Sequence, residues 1–472
     1  MKKIMRIILF LVIFYVPYTL ALEPIPPAQG LPSIHKLYVF GDSLSDTGNL
    51  EAATLSFLPN AQNYFMGRFS DGYLWIDDLA KQYHTTVQDK QFIENYAVGG
   101  ATAFPYMDLV SIFHWGYYLV GSLGNQLYDF TKMHKRFRPD DLIIIWIGAN
   151  DLLWAGDMYF CGKLTKACIE GHVQKANQNN IVQKAFNSVK AQVQKMEKRG
   201  AQHIILVGLP DFSEVPRYIF QQPAVAALKK ADAHAYNEEL KAFVRENQAA
   251  GHAILFYDLN RVLQKLINHP SEQAKYKITD TVHSCLYRHQ EPKFSDWESI
   301  ALNRYNPFAM VAIIPVFRDA LPNPHDYRLQ HFKEFVDKKC GAHYLFWDTL
   351  HPTKKGHFVI FQHFLAFIDK HFRITRPHKD NGFCYNLHVI NKGWYLLNVS
   401  QKNSRCGSHN NYLLKNSEKL VSVAYDQPVK LNAVLGKSMI FSHLPRPVQG
   451  LGATIQCTGT TLIHFSCKEI TE

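Results

Sequence analysis

Unbroken apolar runs separated by helical patterns constrain this chain more than any other feature. KLYVF (36–40), LIIIWI (142–147), HIILVG (203–208) and AILFYD (253–258) are apolar segments of strand length, and FIENYAV (92–98) is a weaker fifth. Two helical stretches between them, 178–200 and 224–251, close on Gly200 and Gly251, the usual stop just past a helix. Strands without polar alternation are buried on both faces, which predicts an α/β fold: a parallel sheet layered between helices. Ligands of such open sheets bind beyond the carboxyl ends of the strands. Ser43 follows the first run, Gly99 and Gly100 the second, and Asn150 the third, so all fall on that edge.

The pattern changes near RITRPHKDNG (373–382). Beyond it, short runs such as WYLLNV, KLVSVAY and TLIHFSC lie between Asn, Gly and Ser clusters and read as a β-rich module. The start, MKKIMRIILFLVIFYVPYTLALEP, has a basic head, an apolar run too short for a bilayer span and small residues at Thr19-Leu20-Ala21. That is the layout of a secretory signal peptide cleaved after Ala21. The expected organisation is a signal peptide at 1–21, an α/β domain at 22–376 and a β-rich domain at 377–472. Export leaves two destinations open, the periplasm and the extracellular medium.

Cleavage removes three of the 51 basic residues and none of the 40 acidic ones, lowering the formal charge from +11 to +8. Such an excess suits an anionic surface such as phospholipid headgroups, and equally a soluble protein rich in surface lysine. No basic arm, finger or RNP-like run points to nucleic acid. Eight cysteines in an exported chain favour disulfides. No C-x-x-C or H-E-x-x-H spacing is present, so neither a metal nor a cofactor is expected.

Four blocks carry the chemistry: FGDSLSDTGN with Ser43, NYAVGGATA with Gly99 and Gly100, IGANDLL with Asn150, and WDTLHPTKKGH with Asp348 and His351. A serine hydroxyl is a weak nucleophile that needs a base and a group to orient the base. His351 can be that base, and Asp348, three residues earlier, can fold back onto its ring within one turn. The Ser43 and Gly100 backbone N–H groups and the Asn150 amide are candidate donors to an oxyanion. Singly, each block is an ordinary turn or cap. In this order, with three at strand ends, they point to a nucleophilic serine. Asp42, Asp46 and Asp151 read as structural, tying down turns through backbone hydrogen bonds.

These blocks, together with GRFSDGYLWIDDLAKQY and PDDLIIIWIGANDLL, resemble the GDSL (SGNH) hydrolases over roughly residues 34 to 372. The resemblance is strongest to the secreted bacterial branch of glycerophospholipid:cholesterol acyltransferases, phospholipases A and lysophospholipases A. It implies the three-layer α/β/α fold of that family, a Ser43–Asp348–His351 triad and an oxyanion hole completed by Gly100 and Asn150. Gly100 is preferred to Gly99 on the alignment of the block. No G-x-S-x-G elbow surrounds Ser43, which disfavours the α/β-hydrolase fold. The same resemblance pairs Cys285 with Cys340. It makes the substrate a phospholipid or lysophospholipid at a membrane surface, with cholesterol as a candidate acyl acceptor.

Two aromatic-rich stretches, 104–127 and 305–317, read either as core or as an acyl groove or interfacial flap. CGKLTKAC (161–168) is expected to form a small Cys161–Cys168 loop at the ligand edge, either a surface staple or a lid that an activating protease cleaves at Lys163 or Lys166. In the C-terminal module the simplest local pairing is Cys384–Cys406 with Cys457–Cys467, and spacing leaves other connectivities open. The competing functions are a short-chain or carbohydrate esterase and a lipid- or glycan-binding protein without catalysis. Retention of all five site residues disfavours the last.

Overall fold

The computed structural model describes residues 30–54, 58–59, 63–106, 121–155, 175–220, 223–287, 342–375, 384–401, 406, 410–424, 427–434, 436–441, 451–460 and 464–470. The five expected strands are β1 (Lys36–Gly41), β2 (Ile93–Asn95), β3 (Asp141–Trp146), β4 (His203–Val207) and β5 (Ala253–Tyr257). They form one wholly parallel sheet in the order β2-β1-β3-β4-β5. All six residues of β3 are buried, the mark of a central strand covered on both faces.

The covering helices are α1 (Asn49–Ala53), α2 (Trp75–Gln82), α3 (Leu123–Met133), α4 (Lys175–Lys198), α5 (Pro223–Ala249), α6 (Leu259–Asn268) and α7 (Lys354–His371). α3, α4 and α5 pack side by side, and α2 packs on α7, giving the α/β/α layering. α4 and α5 stop just before Gly200 and Gly251, as their sequences predict. Leu123 and Leu127, from the first aromatic-rich stretch, are buried in α3; residues 107–120 and the second stretch lie outside the described residues.

The strand order reverses direction at β1, so the crevice between the carboxyl ends of β1 and β3 is the topological switch point of the sheet. Ser43 leaves β1 there, and Asn150 leaves β3 beside it. A short parallel pair, β6 (Asp280–Ser284) with β7 (Tyr344–Phe346), leads into the segment carrying Asp348 and His351.

The C-terminal residues form two four-stranded sheets. One contains β8 (Cys384–Asn391), β11 (Ser417–Ala424), β14 (Leu451–Thr458) and β15 (Ser466–Ile470). The other contains β9 (Leu397–Ser400), β10 (Asn410–Leu413), β12 (Val429–Ala433) and β13 (Ser438–Phe441). Leu387, Val389, Val421 and Ile455 of the first sheet share one apolar core with Leu397, Val399 and Leu431 of the second. The simplest local disulfide pairing holds: Cys384–Cys406 and Cys457–Cys467 are both formed. Cys285 is also in a disulfide; Cys340, Cys161 and Cys168 lie outside the described residues. Of the TLIHFSC run, 461–463 lie outside the described residues, and β15 begins at Ser466, with Cys467 directly across from Cys457 of β14.

Candidate active site

β1 ends on Gly41, where a Cβ would stand 2.6 Å from the Trp146 carbonyl oxygen of β3, so only glycine lets the two strand ends approach this closely. The Gln126 side chain completes that end, accepting from the Gly41 N–H at 2.9 Å and donating to its carbonyl at 2.7 Å. The chain then turns sharply: Ser45 and Asp46 both donate their N–H to the Asp42 carbonyl at 3.0 Å. Ser43 is held in this turn.

The second half of the site comes from the segment after β7. Trp347 N–H donates to the His351 carbonyl at 2.8 Å, closing a five-residue loop, and Thr353 caps α7 by accepting from the Gly356 N–H at 3.1 Å. Asp348 organises this loop. One carboxylate oxygen accepts the Leu350 and His351 N–H groups, both at 2.7 Å. The other lies 2.7 Å from His351 Nδ1 and accepts the Tyr64 hydroxyl at 2.8 Å. His351 Nε2 is 2.8 Å from Ser43 Oγ. Residues 308 positions apart in sequence thus form a continuous hydrogen-bonded line from hydroxyl to imidazole to carboxylate.

Burial alone would raise the Asp348 carboxyl, but the charge of His351 and the hydrogen bonds outweigh it and hold the group below the usual carboxylate range. An ionised Asp348 fixes His351 with its proton on Nδ1 and leaves Nε2 to accept from serine. Such a line can move a proton from a hydroxyl while that oxygen attacks an electrophilic carbon.

Gly100 lies in a loop tied down from three sides. Asp46 accepts the Gly99 N–H at 2.7 Å as well as those of Gly48, Asn49 and Leu50. Asn150 donates its amide to the Ala101 carbonyl at 2.9 Å, and Asp151 accepts from Ala103 and Phe104 at 2.7 and 3.0 Å. Gly100 itself takes a φ of +78°, open to glycine and few other residues. A Cβ on Gly99 would meet Phe69 at 2.4 Å, so the loop sits directly on that ring. Among the described residues, the Ser43 and Gly100 backbone N–H groups have no hydrogen-bond acceptor.

The three aspartates read as structural do bind backbone N–H groups. Asp46 and Asp151 lash the serine and asparagine segments to the glycine loop, and Asp42 accepts from Leu44 at 3.1 Å. Burial pushes Asp42 up to about 7, Asp151 up to about 7 and Asp46 up to about 6.

The segment from Tyr64 to Asp71 braces the histidine. Besides Tyr64, Phe69 places its ring 5.1 Å from the His351 ring, Ser70 donates to the Pro352 carbonyl at 2.9 Å, and Asp71 accepts the Lys354 N–H at 2.6 Å. A fully buried Arg68–Asp77 pair, bonded at 2.8 and 2.6 Å, anchors this segment to α2. From Gly67 onward the segment lies in the GRFSDGYLWIDD block, which marks a resemblance and says nothing of contact, and Tyr64 lies outside that block.

The GDSL-like Lipase/Acylhydrolase family matches residues 37–364. The chain is 25% identical over 354 residues to the phosphatidylcholine-sterol acyltransferase of Aeromonas hydrophila, covering 73% of this chain and 93% of that one. It is 24% identical over 327 residues to a thermolabile hemolysin of Vibrio parahaemolyticus, covering 69% and 61%. A secreted effector protein, SseJ, of Salmonella typhimurium is 28% identical over 239 residues, half of each chain.

Proposed function

Because the chain belongs to the GDSL-like lipase/acylhydrolase family, we propose that it is an exported phospholipase A or lysophospholipase A working through an acyl-enzyme on Ser43. The observation that carries this reading is the Ser43–His351–Asp348 line at the switch point of the sheet. The phosphatidylcholine-sterol acyltransferase, similar across nearly its whole length, supports a lipid ester as substrate and a sterol as one acceptor. The basic leader with its apolar run, and the disulfides, support export.

In this mechanism Ser43 Oγ attacks the ester carbonyl while His351 Nε2 takes its proton. The carbonyl oxygen becomes an oxyanion facing the Ser43 and Gly100 N–H groups and the Asn150 amide. Collapse of the intermediate breaks the ester bond, and His351 returns the proton to the departing glycerol oxygen. Water, or the hydroxyl of cholesterol, then attacks the acyl-serine with His351 again as base. Water gives a fatty acid; cholesterol gives a cholesteryl ester. Asn150→Ala should lower kcat by about 10²–10³ with a smaller change in KM, since the missing donor acts on charge developed in the transition state. A silent Asn150→Ala would remove Asn150 from the oxyanion site.

The deciding experiment incubates mature protein with lysophosphatidylcholine or diacyl phosphatidylcholine, with and without cholesterol, and separates the lipid products. The 161–168 loop is tested intact and nicked, because a lid there would make activity depend on cleavage. Fatty acid released by the wild type and absent with Ser43→Ala is expected, and cholesteryl ester beside it extends the reading to acyl transfer. Turnover of short soluble or carbohydrate esters with none of lipid would overturn the lipid assignment.

A further inference from the structure

The end of the C-terminal sandwich farthest from the Cys384–Cys406 disulfide carries large apolar side chains in solvent. Trp394 is 72% exposed and Leu414 is 71% exposed, whereas Tyr385, Tyr395 and Phe465 of the module are buried. Both lie in connections that leave the same end of the two sheets: 392–396 between β8 and β9, and 414–416 between β10 and β11. The connections that begin at Val434 and at Gly459 leave that end too.

These connections are fastened to one another. Asn391, fully buried, accepts the Gly393 N–H at 3.0 Å and donates to the carbonyls of Tyr395, Leu413 and Leu414 at 2.8, 3.2 and 3.1 Å. Trp394 N–H donates to the Gly459 carbonyl at 2.9 Å, and Val434 N–H to the Leu396 carbonyl at 2.9 Å. Trp394 and Leu414 are therefore presented on a braced tip.

Charge at the tip is one-sided. The four connections contain Lys392, Lys415 and Lys437 and neither aspartate nor glutamate. All three lysines are exposed, and the Lys415 ammonium sits over the Trp394 ring. An exposed tryptophan and leucine ringed by lysines match the boundary of an anionic bilayer, where indole rings settle at headgroup level and lysines meet phosphate.

The tip also emerges on the active-site side. Cys384, at the start of β8, donates its N–H to the His84 carbonyl at 3.1 Å, and Ser422 on the paired strand hydrogen-bonds Thr86 at 2.7 Å. Residues 84–92 precede β2, at the edge where the parallel strands begin. Farther along, the charges of Glu418 and Lys419 reach Glu51 on α1, the helix that follows Ser43. β8 and β11 thus run from the amino edge of the central sheet to its carboxyl edge, carrying the tip toward the side on which Ser43 lies.

We propose that the tip formed by Trp394 and Leu414 with Lys392, Lys415 and Lys437 is a docking surface for anionic phospholipid membranes, seating the enzyme with its serine facing the lipid. The inference rests on the lipid reading above for the substrate, but the binding itself is independent of catalysis. The test uses the full mature chain carrying Ser43→Ala, floated with vesicles of phosphatidylcholine mixed with phosphatidylglycerol and with vesicles of phosphatidylcholine alone. Binding to the mixed vesicles that weakens with salt is expected. Trp394→Ser with Leu414→Ser should reduce it roughly 10- to 100-fold. Lys392→Glu with Lys415→Glu and Lys437→Glu should abolish the preference for the anionic vesicles.

With Ser43 restored, both tip variants should hydrolyse a soluble short-chain ester as the wild type does, which verifies their fold. Mixed-vesicle binding unaffected by either variant would overturn the proposal. So would binding to a neutral polysaccharide that depends on Trp394 while neither vesicle is bound. Tip-dependent vesicle binding in a protein whose wild type hydrolyses no ester would sustain the docking surface and refute the enzyme reading instead.

Discussion

Ser43→Ala is expected to lower kcat on any accepted ester by about 10⁵–10⁶ while leaving the folded protein intact. The hydroxyl is the end of the line, whereas His351 lies between it and an Asp348 carboxylate committed to His351 and Tyr64. Asp46 has both carboxylate oxygens committed to four backbone N–H groups. Asp42 is the nearer carboxylate in sequence, but it is buried and accepts the Leu44 N–H at 3.1 Å within the turn itself. The fold should tolerate the change because Ser43 Oγ contributes one hydrogen bond, to His351 Nε2, and a lost bond of that kind costs about 1 kcal/mol. The measurement pairs single-turnover kinetics with labelling by a serine-directed phosphonate. Wild type should be labelled at Ser43 and the variant not at all. A variant that kept more than a hundredth of wild-type turnover would place the nucleophile elsewhere.

Much of this site is readable from the sequence because its parts obey local rules. Continuous apolar runs such as LIIIWI announce β3, and a polar residue just past such a run must lie at the strand's end. Asp348 and His351 are three residues apart, so a single tight loop can join them, and the Trp347–His351 bond closes that loop. Tyr64 follows no such rule. It reaches Asp348 across 284 positions, and only the folding of the 64–71 segment beneath the histidine loop puts them in contact. The placement of the sandwich was equally hidden. Thr86 with Ser422 and His84 with Cys384 are ordinary polar contacts whose partners carry no mark in sequence, yet they decide which way the Trp394 tip points. Composition located a β-rich module; tertiary packing oriented it.

Asp348→Asn should lower kcat by about 10⁴, a loss that comes from the wrong tautomer and leaves the site assembled. The carboxylate accepts at four points: the Leu350 and His351 N–H groups on one oxygen, and His351 Nδ1 and the Tyr64 hydroxyl on the other. An amide has one oxygen for these donors. If that oxygen keeps the two backbone N–H groups, its NH₂ faces His351 Nδ1 and makes that nitrogen an acceptor. Nε2 then carries the proton and cannot take one from Ser43. The alternative orientation sets the NH₂ against two backbone N–H groups and disrupts the loop. The substitution should also change the acid limb of stability in a defined direction. Asp348 is held below its ordinary range in the folded protein, so its contribution is present above the unfolded carboxylate value and is lost as pH falls through the lowered folded one. The wild type should therefore lose stability on acidification below about pH 4 in part through this group, and the variant should lack that component. Thermal unfolding from neutral to strongly acidic pH, compared between the two proteins, checks the sign. Turnover of Asp348→Asn within tenfold of wild type would mean that His351 is oriented by something other than this carboxylate.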